Sequence, residues 1–203
     1  MTTQACLREL RRIKSAAFAT VDDAGQPQVR IIDIMLVRDE RLYFCTARGK
    51  AFYRQLLRSG RVSVVAMNDA FQMFRLSGSV KTPDSPRAWI DLIFQENPAM
   101  EAVYPGDSRA ILEPFCLEDG EIEFFDLGRS PIHRESLAFG KARPRDAGFS
   151  ITEACIGCGQ CLRVCPQQCI DAGTPCRIRR ENCLHCGLCA EACPAGAVQR
   201  KDE

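Results

Sequence analysis

Apolar and polar residues alternate along much of the first 130 residues, with the two-residue period of strands that are buried on one face. Three further stretches show the three-to-four-residue spacing of amphipathic helices. The pattern predicts helices over residues 4–14, 50–60 and 85–95. It predicts strands over residues 15–21, 28–37, 42–47, 61–67, 74–80, 110–117 and 121–127.

Short polar segments separate these elements and indicate how they connect. "DDAGQP", "RDER" and "EDG" carry the Asp and Gly residues that hairpin turns favour. Gly60 stands where a helix C-cap is expected, and Pro86 is tolerated in a first helical turn. Hairpin connections between short strands predict a mostly antiparallel sheet with a few helices. A small closed barrel is the economical architecture for it, and the fold class is α+β.

Length and charge narrow the possible functions. The chain has 203 residues, enough for one ordinary domain and a small one. Its 27 Lys and Arg residues nearly balance 26 Asp and Glu residues, so no nucleic-acid partner is expected. No apolar run reaches the roughly 20 residues that cross a bilayer, and the N-terminus lacks the apolar core of a secretory signal. We therefore expect no membrane partner and a cytoplasmic location.

Cysteines are concentrated at the end of the chain. Residues 1–130 contain three, Cys6, Cys45 and Cys116, whereas residues 151–203 contain ten. Because cytosolic proteins seldom keep disulfides, the dense block indicates metal ligation. The change in composition predicts a first domain over 1–127, a linker over 128–147 and a small second domain over 148–203.

Two copies of one motif account for eight of these cysteines. "CIGCGQCLRVCP" begins at Cys155 and "CLHCGLCAEACP" begins at Cys183, and each has the spacing C-x2-C-x2-C-x3-C-P. This is the bacterial ferredoxin signature, in which the fourth cysteine ligates the other of two [4Fe–4S] clusters. The predicted ligands of the first cluster are Cys155, Cys158, Cys161 and Cys193. Those of the second cluster are Cys183, Cys186, Cys189 and Cys165.

Structural zinc is the alternative for these cysteines, but zinc sites favour paired C-x2-C units with longer intervals. His185 is expected to neighbour a cluster without ligating it. Cys169 is expected to pack in the interior, and Cys176 to be a loop thiol. The linker cations, which include Arg129, Arg134 and Arg145, are either solvated or lie against the cluster domain or a cofactor phosphate.

The first domain has a second, more diffuse pattern. The stretch "ATVDDAGQPQVRIIDIMLV…LYFCTARGKAFYRQLLRSGRVSVVA…RLSGSV" and the order of elements over about residues 5–127 resemble pyridoxamine 5'-phosphate oxidase-like split β-barrel flavoproteins. That resemblance implies a homodimer with FMN at its interface. It implies phosphate contacts from Thr46 and Lys50, with Arg48 nearby. It also implies cofactor contacts from Arg30, Ile31, Ile32, Asp33, Cys45, Gln72 and Arg75.

The same fold also hosts deazaflavin and haem binders, so these remain alternatives to FMN. The chain lacks the C-terminal arginine-containing segment with which family oxidases act on the vitamin phosphate, which disfavours that activity. The sequence thus predicts an FMN-dependent oxidoreductase that passes electrons between two [4Fe–4S] clusters and FMN. Its expected partners are an external electron donor or acceptor, either a protein or a nicotinamide, and a small-molecule substrate. The alternative is a non-enzymatic electron carrier or redox sensor whose barrel serves for dimerisation or docking.

Overall fold

The structure is a computed structural model that describes residues 1–201. The chain divides into two compact units. The first comprises Met1–Asn68, Met73–Glu123 and Leu137–Pro144, and the second comprises Asp69–Gln72, Phe124–Ser136 and the chain from Arg145 onwards. Three strands contribute residues to both units: one begins at Gln72, one ends at Asp126 and one begins at His133.

An antiparallel sheet with flanking helices forms most of the first unit. The strands are β1 (Ser15–Val21), β2 (Pro27–Asp33), β3 (Leu36–Arg38), β4 (Arg41–Ala47), β5 (Arg61–Met67), β6 (Gln72–Lys81), β7 (Leu112–Asp126) and β8 (His133–Phe139). The helices are α1 (Thr3–Ile13), α2 (Ala51–Ser59), α3 (Pro86–Glu96) and α4 (Met100–Val103), and a 3-10 helix spans Gly106–Ile111.

The sheet has the order β2-β1-β5-β6-β7-β4-β3, and β8 also pairs with β7. β2 and β3 stand at the two ends of this order, so the curled sheet is a half-barrel and not the closed barrel that we predicted. The fold class is confirmed: a split-barrel α+β domain is followed by a ferredoxin-like domain. The register places Ala17 of β1 between Ile31 of β2 and Val65 of β5.

Aromatic side chains fill the interior beneath α2. Phe18 and Phe44 meet edge to face at 4.9 Å, and Phe44 stacks on Phe115 at 5.7 Å. Phe52, on the apolar face of α2, contacts both Phe18 and Phe44. Such pairs are among the most stabilising core contacts because large rings bury much apolar area.

The opposite face of β4 is covered by α3. Tyr43 and Cys45 point to this side and pack with Ile93 and Phe94. Trp89 stacks on Tyr43, with ring centroids 4.2 Å apart. The alternation of side chains along β4 therefore separates two apolar layers, which is why this strand is buried on both faces.

Two predicted strand boundaries are wrong. Residues 110–127 do not form a hairpin around "EDG", because β7 runs straight through it as one strand. β6 and β7 pack closely at this point, and both carry a glycine there. A Cβ on Gly78 of β6 would lie 2.3 Å from Asp119 O, and a Cβ on Gly120 of β7 would lie 2.8 Å from the Phe139 ring. Residues 28–37 are split between β2 and β3, since the amide of Ile34 donates to Lys14 O.

The second unit repeats one short arrangement. Its elements are β9 (Gly148–Ile151), α5 (Gln160–Val164), β10 (Ile170–Asp171), β11 (Arg177–Ile178), a 3-10 helix (Arg180–Asn182), α6 (Leu188–Glu191) and β12 (Val198–Lys201). α5 and α6 each lie inside one cysteine motif and follow a glycine with positive φ, Gly159 or Gly187. The terminal strands β9 and β12 pair antiparallel and close the repeat.

The segment 128–147, which we predicted to be a linker, contains strand β8. None of the helices within residues 1–201 combines the length and the apolar character needed to cross a bilayer.

Candidate metal centre and cofactor site

A pocket in the second unit gathers four of the predicted metal ligands. Cys165, from the first motif, lines it together with Cys183, Cys186 and Cys189 of the second motif. The remaining lining is largely apolar, and the pocket is partly open to solvent. The structure therefore brings together the set that the sequence assigns to the second cluster, including the ligand contributed by the other motif.

The donor set fits a four-iron cluster. A cubane takes one thiolate at each of four irons, so its ligands must surround a cavity and not converge on a point. Within residues 1–201, no group of three or more His, Cys, Asp or Glu side chains is close enough to hold a single metal ion. An arrangement of thiols around a pocket suits a cluster better than a structural zinc ion.

The set predicted for the first cluster is also partly assembled. The thiols of Cys155 and Cys193 are close enough to interact electrostatically, although they lie in different motifs. A hydrogen bond from the Ala197 amide, at 3.3 Å, is the main cause that lowers the pKa of Cys193. The Cys176 amide does the same for the pKa of Cys155. Both effects favour the thiolate, which is the metal-binding form.

The two remaining cysteines lie beside predicted ligands. Cys169 Sγ is 3.5 Å from Cys165 Sγ, and burial raises the pKa of Cys169. Cys176 Sγ donates to the Gly173 carbonyl at 3.3 Å, and Cys176 is close enough to Cys155 and Cys161 to affect the pKa of both. Both thiols belong to the apolar core of the second unit. The interior position expected for Cys169 is observed, and Cys176, expected to be a loop thiol, is buried as well.

In the first unit, several predicted cofactor residues gather where β4 leads into α2. Thr46 is almost fully buried, and its Oγ1 has no hydrogen-bond partner within residues 1–201. Lys50 precedes α2 and makes no capping hydrogen bond with its side chain. Burial is the main influence on the pKa of Cys45 and raises it to about 12. The charge of Lys50 lowers this pKa and the charge of Asp33 raises it, each by a smaller amount. Cys45 is thus a neutral thiol near neutral pH.

This arrangement fits a phosphate group. A dianionic phosphate needs a fixed cation together with hydroxyl or amide donors. A buried hydroxyl without a partner is costly unless a ligand satisfies it, and Thr46 supplies such a group four residues before the Lys50 ammonium. The structure thus offers a donor and a cation at the position where the resemblance implies the FMN phosphate.

Three other predicted contacts are engaged with carboxylates. Arg48 donates to Glu113 Oε1 at 2.8 Å and to a backbone carbonyl. Arg75 pairs with Glu123. In the second unit, Gln72 Nε2 donates to Asp126 Oδ2 at 3.0 Å. These side chains would have to leave or share their carboxylate partners to contact a cofactor.

The β2 residues divide between the two faces of the sheet. Ile31 is 66% exposed and Ile32 is half-buried. Asp33 Oδ1 accepts a hydrogen bond from Ser15 Oγ at 2.7 Å, and its other oxygen lies 3.7 Å from Lys14 Nζ.

Arg30 is the centre of a polar network that sequence reasoning missed. Its guanidinium donates to Thr20 Oγ1 at 2.6 Å and to Gln55 Oε1 at 2.9 Å, and it lies over the Phe52 ring at 4.5 Å. Thr20 Oγ1 also donates to Gln55 Oε1 at 2.6 Å. A glutamine among the apolar positions Phe52 and Leu56 of α2 is the signal that could have revealed a buried polar partner.

One of the linker cations, Arg134, contacts His185. Arg134 Nη1 lies 2.8 Å from His185 Nδ1. The alternatives for the linker cations included contact with the cluster domain, and the structure shows such a contact for Arg134. The left-handed backbone of His185, at φ 58°, is a second feature that no sequence pattern indicates.

Comparison with known proteins gives two family matches. Residues 2–104 match the profile described as pyridoxamine 5'-phosphate oxidase. Residues 154–197 match the profile described as 4Fe-4S dicluster domain. Comparison with curated protein sequences gives no match.

Solved structures share the fold of the first part of the chain. A NimC/NimA family protein from Clostridium acetobutylicum has a TM-score of 0.59 and 21% identity, covering 68% of this chain and 92% of its own. PhzG from Burkholderia lata, solved with tetrahydrophenazine-1-carboxylic acid, has a TM-score of 0.51 and 19% identity, with coverages of 68% and 82%. A Clostridium acetobutylicum protein related to general stress protein 26 has a TM-score of 0.51 and 15% identity, with coverages of 70% and 97%.

Proposed function

Because the chain belongs to the pyridoxamine 5'-phosphate oxidase family and also carries a 4Fe-4S dicluster domain, we propose that it is an oxidoreductase that passes electrons between two [4Fe–4S] clusters and FMN. Bound clusters exchange single electrons, whereas a bound flavin exchanges one or two. The combination would convert between one-electron and two-electron carriers.

One observation carries the iron–sulfur part of this proposal. The pocket in the second unit is lined by Cys165 together with Cys183, Cys186 and Cys189, so it draws ligands from both motifs as a two-cluster ferredoxin requires. Cys155, Cys158, Cys161 and Cys193 are proposed to hold the other cluster. Amide hydrogen bonds to Cys183 Sγ and Cys193 Sγ support this role because such bonds stabilise the negative charge on cluster sulfurs.

The flavin part of the proposal is supported by the residues at the end of β4. Thr46 and Lys50 are proposed to hold the FMN phosphate, and Arg30, Ile31, Ile32 and Asp33 to line the path of its ring. Cys45, Arg48, Gln72 and Arg75 remain proposed contacts at the edge of the site. The neutral Cys45 thiol would contribute packing and not redox chemistry.

A homodimer is part of the proposal. The outer face of β2, β1 and β5 exposes an apolar row that includes Val29, Ile31, Val65 and Met67. A second copy of the chain would bury this row, since exposed apolar patches of this kind often mark protein interfaces. The external redox partner is proposed to be a protein or a nicotinamide, with a small-molecule substrate at the flavin.

Cofactor content of the anaerobically purified chain tests the proposal. We expect about eight irons per chain, four for each of two clusters, together with FMN identified by mass. A Thr46→Val variant should lose flavin and keep its iron, because valine has nearly the same shape but no hydroxyl. Thr152→Val is the matched control. Thr152 lies in the second unit, where its hydroxyl donates to the Ala197 carbonyl of the same unit. Zinc in place of iron, or a wild-type chain that retains no flavin, would contradict the proposal.

A further inference from the structure

One of the differences between the two cysteine motifs falls at a position with a left-handed backbone. Gly157 lies between Cys155 and Cys158, and His185 occupies the matching place between Cys183 and Cys186. Both residues have a left-handed backbone, with φ 67° for Gly157 and φ 58° for His185. This conformation is natural for glycine and unfavourable for histidine. A histidine that adopts it must be held there by its surroundings.

Arg134 holds the ring of His185. Its Nη1 lies 2.8 Å from His185 Nδ1, and its guanidinium also lies over the Phe125 ring at 4.7 Å. Because a guanidinium only donates, Nδ1 must accept, so the imidazole carries its proton on Nε2. The Nε2 side packs against Gly148, where a Cβ would come within 2.6 Å of that nitrogen. The ring is therefore constrained on both of its nitrogen sides.

The segment that carries Arg134 is hydrogen-bonded to the loops that hold proposed ligands of the second cluster. The Ile132 amide donates to Gln167 Oε1 at 3.2 Å, and the Ile132 carbonyl accepts from Asn182 Nδ2 at 2.9 Å. Gln167 follows Cys165 by two residues, and Asn182 immediately precedes Cys183. Two hydrogen bonds thus fix the backbone beside Arg134 to the loops of two proposed ligands of the second cluster.

We propose that Arg134 is a positioning residue that holds His185 and raises the reduction potential of the second cluster relative to the first. This inference rests on the proposed function, because it requires both clusters. A cluster gains one negative charge on reduction, so a guanidinium fixed at its ligand loop stabilises the reduced form. The first motif has Gly157 in place of the histidine and lacks this attachment point. When one electron is added to the two clusters, the second cluster is then the one that is preferentially reduced.

A redox titration of the full-length, cluster-loaded protein tests the inference. Arg134→Gln removes the charge while retaining hydrogen-bonding capacity, and Arg129→Gln, an exposed arginine in the same segment, is the matched control. We expect Arg134→Gln to lower one cluster midpoint by an amount equivalent to about a tenfold change in the ratio of reduced to oxidised cluster. For a one-electron couple this is about 59 mV. The control should leave both midpoints in place.

The shifted centre is identified in a Cys193→Ala background, which removes a proposed ligand of the first cluster. The Arg134→Gln shift must persist in the centre that remains. A shift that disappears there, or one that Arg129→Gln reproduces, would overturn the inference.

Two further variants keep the test valid if Arg134→Gln binds iron poorly. His185→Gly restores the residue of the first motif and suits the left-handed backbone, so it should fold, remove the contact between Arg134 and the ligand loop, and lower the same midpoint. Arg134→Lys retains the charge and should stay closer to the wild-type midpoint than Arg134→Gln. Unchanged midpoints in His185→Gly, with iron content intact, would overturn the inference alone. Wild-type protein without two clusters would instead overturn the proposed function on which it rests.

Discussion

Replacing Arg30 by methionine tests whether the polar network beneath α2 stabilises the first unit. The change keeps most of the unbranched stem but removes the guanidinium. Three contacts are lost: those to Thr20 Oγ1 at 2.6 Å, to Gln55 Oε1 at 2.9 Å and to the Phe18 carbonyl at 3.2 Å. The contact with the Phe52 ring is lost as well.

The expected loss of stability depends on the hydrogen bonds that Thr20 and Gln55 retain in the variant. Thr20 and Gln55 retain their mutual hydrogen bond at 2.6 Å, so neither side chain is left without a partner. Hydrogen bonds to charged groups contribute about 1.5–3 kcal/mol each when both partners are held in place, and a partly exposed cation over an aromatic ring about 0.5–1 kcal/mol. The net loss is smaller than these contributions added together, because Arg30 is only half-buried, so that water replaces part of each lost contact, and because methionine packs in its place. We expect the free energy of unfolding to fall by about 2–4 kcal/mol.

Urea denaturation followed by tryptophan fluorescence measures this change in the first unit specifically. The chain has one tryptophan, Trp89, and it stacks on Tyr43 within that unit. The midpoint should fall while the dependence on urea concentration stays the same. Arg54→Met, at an exposed position of α2, is the control and should change stability by less than about 0.5 kcal/mol. Equal midpoints for the Arg30 and Arg54 variants would refute the reasoning.

Three further changes test other parts of the structure. Lys50→Glu should lower FMN retention at unchanged iron content because it reverses the charge at the proposed phosphate site, whereas Arg54→Glu should not; unchanged flavin occupancy would place the phosphate elsewhere. Cys193→Ala should remove the cluster of the first motif and leave about four irons per chain; spectroscopic loss of the other cluster would reverse the ligand assignment. Gly78→Ala should destabilise the sheet severely, since its Cβ would meet Asp119 O at 2.3 Å, whereas Gly49→Ala meets nothing within 4 Å; similar thermal midpoints for the two variants would contradict this packing argument.

The cysteine motifs were the most predictable part of the molecule because their chemistry is local. Each motif supplies three closely spaced thiols, and the ferredoxin signature that the spacing matches implies that the fourth cysteine ligates the other cluster. The pocket around Cys165 and Cys183 is the arrangement that such an exchange requires. The two-residue alternation likewise located most strands, since a half-buried sheet imposes it directly.

The remaining features depend on contacts between distant parts of the chain. "EDG" has turn composition, but Gly120 is used for close approach to Gly78 and the strand continues through it. Arg30 and Gln55 are 25 residues apart, and only the fold brings them together. The contact between Arg134 and His185 spans 51 residues and leaves no periodic trace in the sequence.

Electron transfer within one molecule tests the central claim most directly. The protein, loaded with both clusters and FMN, is mixed anaerobically with less than one equivalent of a fast one-electron reductant, and the cluster and flavin absorbances are followed in time. We expect electrons to redistribute between the clusters and the flavin at a rate that does not depend on protein concentration. A rate that increases in proportion to protein concentration, or a flavin that never exchanges electrons with the clusters, would contradict the account.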